Sequence, residues 1–500
     1  MLKKLISLVD KIGLWILGLV TVLLNISLAF DNVVWGDEAY SQMAIINCSL
    51  YGIYERTYYW DSHPPFYYYF LRLMADLFGY KTPVYHFASL IPFVAGIILA
   101  CTLIKKKLGT VPAAFFILIS GLSASCVEYN LEIRMYSLVF FFTLVCCYLS
   151  YSILLDGTKI YKWVLFTLFG LLAAYTHYFG LIITGILLFM TTVFYALEHK
   201  GKSWLRGFLC IVVYIILYIP WLFVLYFQTQ AELSSAWMTA PESLKVVINF
   251  ICGGTRIKPV VYIFVIAMSV VILVKEMGFL EISVNKASKS ITFSLKKATL
   301  KEFTLDTRVL ILMWLSMVLM LGLVYGVSYL FHPILAFRYT YVLIPLVMFI
   351  FMICIKKLIE YANPRKWCNA FVILLAVMFM YVGIAGLLDF KYFRSVTKTQ
   401  DFQTKKVLDI VGTPSSDTLL ISNGVKHLAW SVLPYYYPNC TVTMENPDKA
   451  GDDINEMWAF VGETFDTKLI KEMNKRGYQV ESWMDMWMGK YGINLYHFYR

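Results

Sequence analysis

Charge is scarce in this chain. Asp, Glu, Lys and Arg make up 15% of its 500 residues, while 59% are hydrophobic and 17% aromatic. A water-soluble protein of this length carries more charge, so the composition indicates a polytopic membrane protein. Paired cysteines are missing too. The ten cysteines are scattered, mostly inside apolar runs (Cys101, Cys146, Cys147, Cys354), and no CxxC occurs. That supports neither a disulfide framework nor a zinc site. Internal repeats and low-complexity tracts are also absent, which argues against a transporter built from two related halves. Finally, the first apolar run, residues 12–30, follows Lys3, Lys4 and Lys11 as a signal peptide would, yet has no small-residue cleavage site. It is long enough for a full crossing, so a retained helix is expected.

Long apolar runs dominate what is present. At roughly 20 residues per crossing, about eleven spans are expected, near residues 12–30, 83–104, 110–126, 137–155, 163–176, 180–197, 207–226, 259–274, 309–331, 339–355 and 368–388. The pair at 163–197 is divided at "YTHYFG", the only interruption in that stretch. The formal net charge of +11 falls mostly in short segments between spans, as a topology signal does. Lys3, Lys4, Lys11, "KKK" at 105–107, Lys159, Lys162, "HKGKSWLR" at 199–206, loop 275–308 and "KK…RK" at 356–366 share one side. The positive-inside rule makes that side cytoplasmic, together with the N-terminus, and an odd number of spans places the last hundred residues outside. From Asp389 the chain becomes polar and mixes strand-like runs ("DTLLISNG", "MWAFVGE", "GINLYHFYR") with the helix-like "DTKLIKEMNKRG". The expected organisation is a transmembrane module, residues 1–388, followed by a small extracytoplasmic α/β domain, residues 389–500.

With this topology every polar cluster of chemical character reaches the outer side. Loop 31–82 carries Asp37 and Glu38 in "WGDEAYS", then Asp61, His63, Pro64 and Pro65 in "WDSHPPFYYYFLRL". The next outer turn holds Glu128, Glu132, Arg134 and Tyr136 in "VEYNLEIRMYSL"; "THYFG" adds His177, and "FHPILAFRYTYVLIPL" adds His332, Arg338 and Tyr339. Each has a structural alternative. Asp37 would serve as a helix cap, His63 as the start of a loop fixed by two prolines, and Arg134 as a bridge to Glu128 or Glu132. His177 would be a satisfied residue at a helix break, Arg338 a snorkelling anchor, and the Tyr and Phe runs an aromatic belt. Their coincidence at one membrane face points to function instead. An acid there can deprotonate an acceptor hydroxyl, and arginines with a histidine can stabilise a departing phosphate. Asp37 and Glu38 are i, i+1 and face different ways on a helix, so one suits the base and the other an orienting role.

At these residues the sequence resembles the integral-membrane GT-C glycosyltransferases, in the branch of bacterial protein O-mannosyltransferase-like proteins and the aminoarabinose transferase of lipid A. "WGDEAYS", "HPPFYYYFLRL", "LEIRMYSL", "YTHYFG" and "RYTYVLIPL" occur in the family's order over about residues 35–390. The resemblance implies inverting transfer of a sugar from a polyprenyl-phosphate donor to a hydroxyl acceptor on the outer face. It matches Asp37 to the catalytic acid and Glu38 to its neighbour. Arg134 and Arg338 would lie around the lipid phosphate, and His63 and His177 would line the same cavity. Glu132, Tyr136 and Tyr339 are supporting residues by proximity in these motifs. No cofactor is expected, because arginines can meet a monophosphate without a divalent ion, although Asp37, Glu38 and His63 form an alternative metal set. A cytosolic nucleotide-sugar enzyme would need a soluble nucleotide-binding domain, and the only "GDD", residues 451–453, lies in the tail. Expected partners are the lipid-linked sugar, the hydroxyl acceptor (lipid, envelope polymer or protein) and the bilayer, with no nucleic acid. Two other readings stay open: an oligosaccharide polymerase or ligase using a diphosphate-linked donor, and a lipid or sugar transporter.

Overall fold

The computed structural model describes residues 2–30, 34–199, 204–234, 240–254, 256–277, 281–285, 290–294, 302–362, 368–451 and 453–500. The basic segments 199–206, 275–308 and 356–366 lie partly outside these, as do residues 31–33 of the first loop and residue 452 of "GDD".

Among the described residues, eight helices are long and apolar enough to cross a membrane: Thr82–Leu108, Tyr136–Leu155, Tyr178–Glu198, Leu205–Gln230, Lys258–Glu276, Leu305–Leu330, Phe337–Ala362 and Asn369–Val411. The pair Thr110–Leu122 and Ala124–Leu131, bent by 64°, makes a ninth if taken as one span. Ile12–Ile26 and Ile160–Ala174 are apolar but shorter. The chain is thus a multi-pass membrane protein, and helix length and composition give eight or nine spans where the sequence suggested about eleven. The division of the 163–197 stretch falls at residues 175–177. There Gly180 permits the tight approach of the two helices, since a Cβ at that position would sit 2.5 Å from the Ala173 carbonyl oxygen.

Between the first and second apolar helices, three short helices, Gly36–Ile46, Leu50–Tyr59 and Phe66–Phe78, pack at one end of the bundle. Pro64 and Pro65 lead into the third, and its first amide, Phe66 N–H, donates to the Tyr175 carbonyl at 3.1 Å. Two rings of the "FYYYF" run turn inward and form no part of a belt at the lipid boundary, while Phe66, Tyr69 and Phe70 are half-buried. Tyr67 and Tyr68 are fully buried, because in a helix this short, packed on several sides, consecutive residues are enclosed together.

The last apolar helix, Cys368–Val411, runs 44 residues without a break. At 1.5 Å per residue it is about 66 Å long, roughly twice the hydrocarbon thickness. Its polar second half therefore stands clear of the bilayer, and residue 389 lies inside it. On this mast packs a five-stranded mixed sheet, in the spatial order Thr441–Thr443, Leu419–Ile421, Glu456–Val461, Tyr491–Tyr499, Gln479–Met488. The strand Leu419–Ile421 pairs parallel with its two neighbours, and the remaining pairs are antiparallel. One face covers Met473 and Tyr478 of the segment around the Thr467–Lys475 helix. The other shares a core with Val407 and Val411 of the mast, with Val34 just ahead of the first short helix and with Ala39 inside it. That shared core ties the sheet to the element carrying the paired acids.

Candidate active site

The helix Gly36–Ile46 begins with two carboxylates in its first turn, where unpaired amides and the helix dipole favour negative charge. The two diverge. Glu38, 5% exposed, accepts the Trp35 N–H at 3.4 Å, one half of a capping box, and the Ile133 N–H at 3.0 Å. It clamps its own helix to the turn that carries Arg134. Asp37 faces that arginine's side: its Oδ2 lies 3.2 Å from Arg338 Nη1 and 4.0 Å from Arg134 Nε. At 3.2 Å a charge pair near a protein surface attracts by about 5 kcal/mol. Burial by itself would raise the Asp37 pKa, but Arg134 and Arg338, then His427 and His63, outweigh burial and hold it below the usual carboxylate range.

The cations are placed by turns between spans. Arg134 lies in the segment between the Ala124–Leu131 and Tyr136–Asp156 helices, and Arg338 in the 3-10 turn Phe337–Leu343 that begins the next-to-last span. Arg134 is 4% exposed. Its Nη1 donates to Ser41 Oγ at 3.3 Å and to the Tyr68 hydroxyl at 3.2 Å. Tyr68 in turn donates to Asp61 Oδ2 at 2.5 Å, and Asp61 Oδ1 holds His63 Nδ1 at 2.8 Å. A carboxylate only accepts, so His63 carries its proton on Nδ1 and its Nε2 is left for other contacts. The 3.5 Å approach of Arg134 Nη2 to His63 Nδ1 then sets two donors side by side and is no bond. Burial raises and the His63 and Arg134 partners lower the Asp61 pKa; the partners prevail.

His177 lies 5.3 Å from His63 between ring centroids and 5.2 Å from Tyr339. Its Nδ1 accepts the Phe179 N–H at 3.0 Å, capping the next span, so its proton sits on Nε2. That Nε2 is buried and has no hydrogen-bond partner. Burial, reinforced by His63, Arg134 and Arg338, pushes its pKa well below the imidazole range. His177 is therefore a neutral donor waiting for an acceptor. Tyr136 lies at the edge of this group, its ring tilted 42° to that of His177 at 6.0 Å, with its buried hydroxyl also unpartnered.

Asp37, Arg134, Arg338, His63, His177, Tyr136 and Tyr339, remote in sequence, thus converge at one end of the bundle. Glu38 adjoins the group but serves the backbone. Glu132 lines a separate cavity, beside Glu38, Glu128 and Lys490, and Glu128 pairs with Lys490 at 2.8 Å, not with Arg134. Among the described residues no set of three His, Cys, Asp or Glu side chains converges as a metal site, and Asp37, Glu38 and His63 do not. The sequence reading left Asp61 and Tyr68 without roles, although "WDSHPP" displays the acid two residues before His63. It gave no signal for Tyr491, whose hydroxyl accepts the Gly36 N–H at 3.3 Å, or for His427, which lies near enough to favour the Asp37 anion. Both come from the C-terminal sheet domain.

No protein-family model matches the chain, and no curated protein matches it. Among solved structures it is similar to ArnT from Cupriavidus metallidurans in the apo state, with a TM-score of 0.56 at 12% identity over 97% of this chain and 98% of that one. It is likewise similar to ArnT from the same organism bound to undecaprenyl phosphate, with a TM-score of 0.54 at 12% identity over the same shares. The likeness is one of fold and runs nearly end to end, sheet domain included.

Proposed function

We propose, from the ArnT-like fold and the carboxylate poised between two arginines, that this chain is an inverting glycosyltransferase. In this reading it moves a sugar from a polyprenyl-phosphate donor to a hydroxyl acceptor at the outer face of the membrane. The observation that carries the reading is Asp37, with Arg338 at 3.2 Å and Arg134 at 4.0 Å from one carboxylate oxygen. The undecaprenyl phosphate of the ArnT complex is the lipid-phosphate class expected here. Lys105, Lys106 and Lys107, with Lys356 and Lys357, lie towards the far ends of the Thr82–Leu108 and Phe337–Ala362 helices from the site, which supports an outward-facing site and a cytoplasmic N-terminus.

The chemistry is a single displacement. Asp37 takes the proton of the acceptor hydroxyl as its oxygen attacks the anomeric carbon. The bond from that carbon to the phosphate oxygen breaks on the opposite side, and polyprenyl phosphate leaves with one more negative charge than it carried as a diester. Arg338, Arg134 and the Nε2–H of His177 stabilise that charge as it develops; the sugar configuration inverts and Asp37 releases its proton to water. No metal has a part in this scheme. Asp37 is a weak base while both arginines hold it. Donor phosphate draws the arginines towards itself, and the Asp37 pKa rises as their field turns away, so the base gains strength only once the donor is in place.

The test is release of free polyprenyl phosphate from a panel of polyprenyl-phosphate sugars, with purified wild type and Asp37→Asn. Wild type should release it from one donor class. The variant, isosteric and folded, should be slower by a factor of about 10²–10⁴, the usual worth of a general base. An Asp37→Asn enzyme as fast as wild type would remove Asp37 from the base role, and no release from any donor would reject the donor class.

A further inference from the structure

Beside the Asp37 group, on the Glu38 side of the same helical turn, lies a cavity of about 240 Å³. Glu38, Glu128, Glu132, Lys490 and Trp35 form its polar end. A second cavity of about 260 Å³ continues along the same stretch of the mast helix: Tyr392, Val396 and Gln400 line both, and Trp487 of the sheet domain closes the far end. Together they fall within the roughly 300–1,000 Å³ of small-ligand sites.

The groove has unspent hydrogen-bonding capacity. Glu132 is 5% exposed, and its Oε2 has no partner. A buried carboxyl oxygen left unpaired costs about 1–3 kcal/mol, which a ligand hydroxyl would recover. The charge balance is negative: buried Glu132 holds its proton at neutral pH, and Glu38 and Glu128 face one lysine, which Glu128 already holds at 2.8 Å and which sits 4.7 Å over the Trp35 ring. A phosphate ester would meet that field without a free cation. The outer rim presents the exposed rings of Tyr392 and Trp487, flat apolar faces of the kind that pack on the C–H face of a sugar, and Gln400 lines both cavities.

We propose that this groove binds the acceptor, and that the part recognised is an uncharged saccharide, not a phosphorylated one. The proposal rests on the transferase reading above. Rings stack at Trp487 and Tyr392, and hydroxyl groups bond Gln400 and Glu132. The reactive hydroxyl then approaches Asp37 around the turn that Asp37 and Glu38 share.

Saturation-transfer NMR on the full chain in detergent tests this, with cellobiose, di-N-acetylchitobiose, trehalose and trehalose 6-phosphate as probes. The expected result is transfer to at least one neutral disaccharide, weaker transfer to trehalose 6-phosphate than to trehalose, and at least a fivefold loss in both Trp487→Ala and Glu132→Gln. Trp487 is on the rim, so its variant keeps the test valid if Glu132→Gln misfolds. No transfer to any probe, equal transfer to the phosphorylated probe, or transfer untouched by either substitution would overturn the proposal. Polyprenyl-phosphate release by the same preparations separates the two readings. Saccharide binding without release from any donor would reject the transferase and leave a saccharide site; release without groove-dependent binding would do the reverse.

Discussion

Glu38 and Asp37 are adjacent in sequence and chemically alike, yet their surroundings give them separate work: one carboxylate answers two backbone amides and the other faces two guanidinium groups. Glu132 is a third case. Burial first, then Glu128, Glu38 and Asp37, push its pKa up to about 8, with Lys490 opposing. In the unfolded chain a glutamate titrates at about 4.3, so between these values the folded chain holds a proton that the unfolded chain has lost. This contribution to stability is fully present below the unfolded pKa and is lost as pH rises through 8. Thermal unfolding in detergent should therefore show wild type losing more stability than Glu132→Gln between pH 5 and pH 9. Parallel pH profiles for the two proteins would mean that Glu132 is ionised throughout.

At the scale of elements, the hairpin formed by Gln479–Met488 and Tyr491–Tyr499 is the link between the sheet domain and the candidate base. Its turn reaches the residues just ahead of the Asp37 helix. Gly489 adopts φ +61°, its N–H donates to Thr404 Oγ1 of the mast at 2.9 Å, and a Cβ there would lie 2.8 Å from the Val34 carbonyl oxygen. Lys490 and Tyr491 then reach Glu128 and the Gly36 amide. Gly489→Ala adds a left-handed backbone cost of about 1–2 kcal/mol to that close contact. It should lower the unfolding temperature and slow polyprenyl-phosphate release together, because the displaced hairpin tip carries the start of the Asp37 helix with it. Unchanged rate and melting would show that the tip is a passive contact.

For the whole molecule, the two ends of the bundle differ in kind. One gathers the candidate site; the other holds paired charges such as Asp306 with Lys356 at 2.7 Å and Glu276 with Lys357 at 3.0 Å. In these pairs each buried ion is compensated within the protein, as a low-dielectric setting demands. If the site faces outward, a membrane-impermeant maleimide added to intact cells should label a cysteine placed at exposed Lys468 in the sheet domain, but not one at exposed Lys106. The reverse pattern would turn the site to the cytoplasm and remove the need for a donor already carried across the membrane.

Period and composition are local properties, so the apolar runs, the helix break at "YTHYFG", three of the tail's five strands and the motifs bearing Asp37, Arg134, His177 and Arg338 are legible along the chain, while the strands Thr441–Thr443 and Gln479–Met488 are not part of that reading. Which side of each turn these residues face follows from packing. Glu38 and Glu132 stand in the same motifs as Asp37 and Arg134, yet one became a backbone clamp and the other a cavity wall, because burial and partners belong to packing. The same holds for Tyr491, whose bond to Gly36 joins positions 455 residues apart. No pattern along the chain encodes a contact across that separation; it exists because the mast helix carries the sheet back over the first loop.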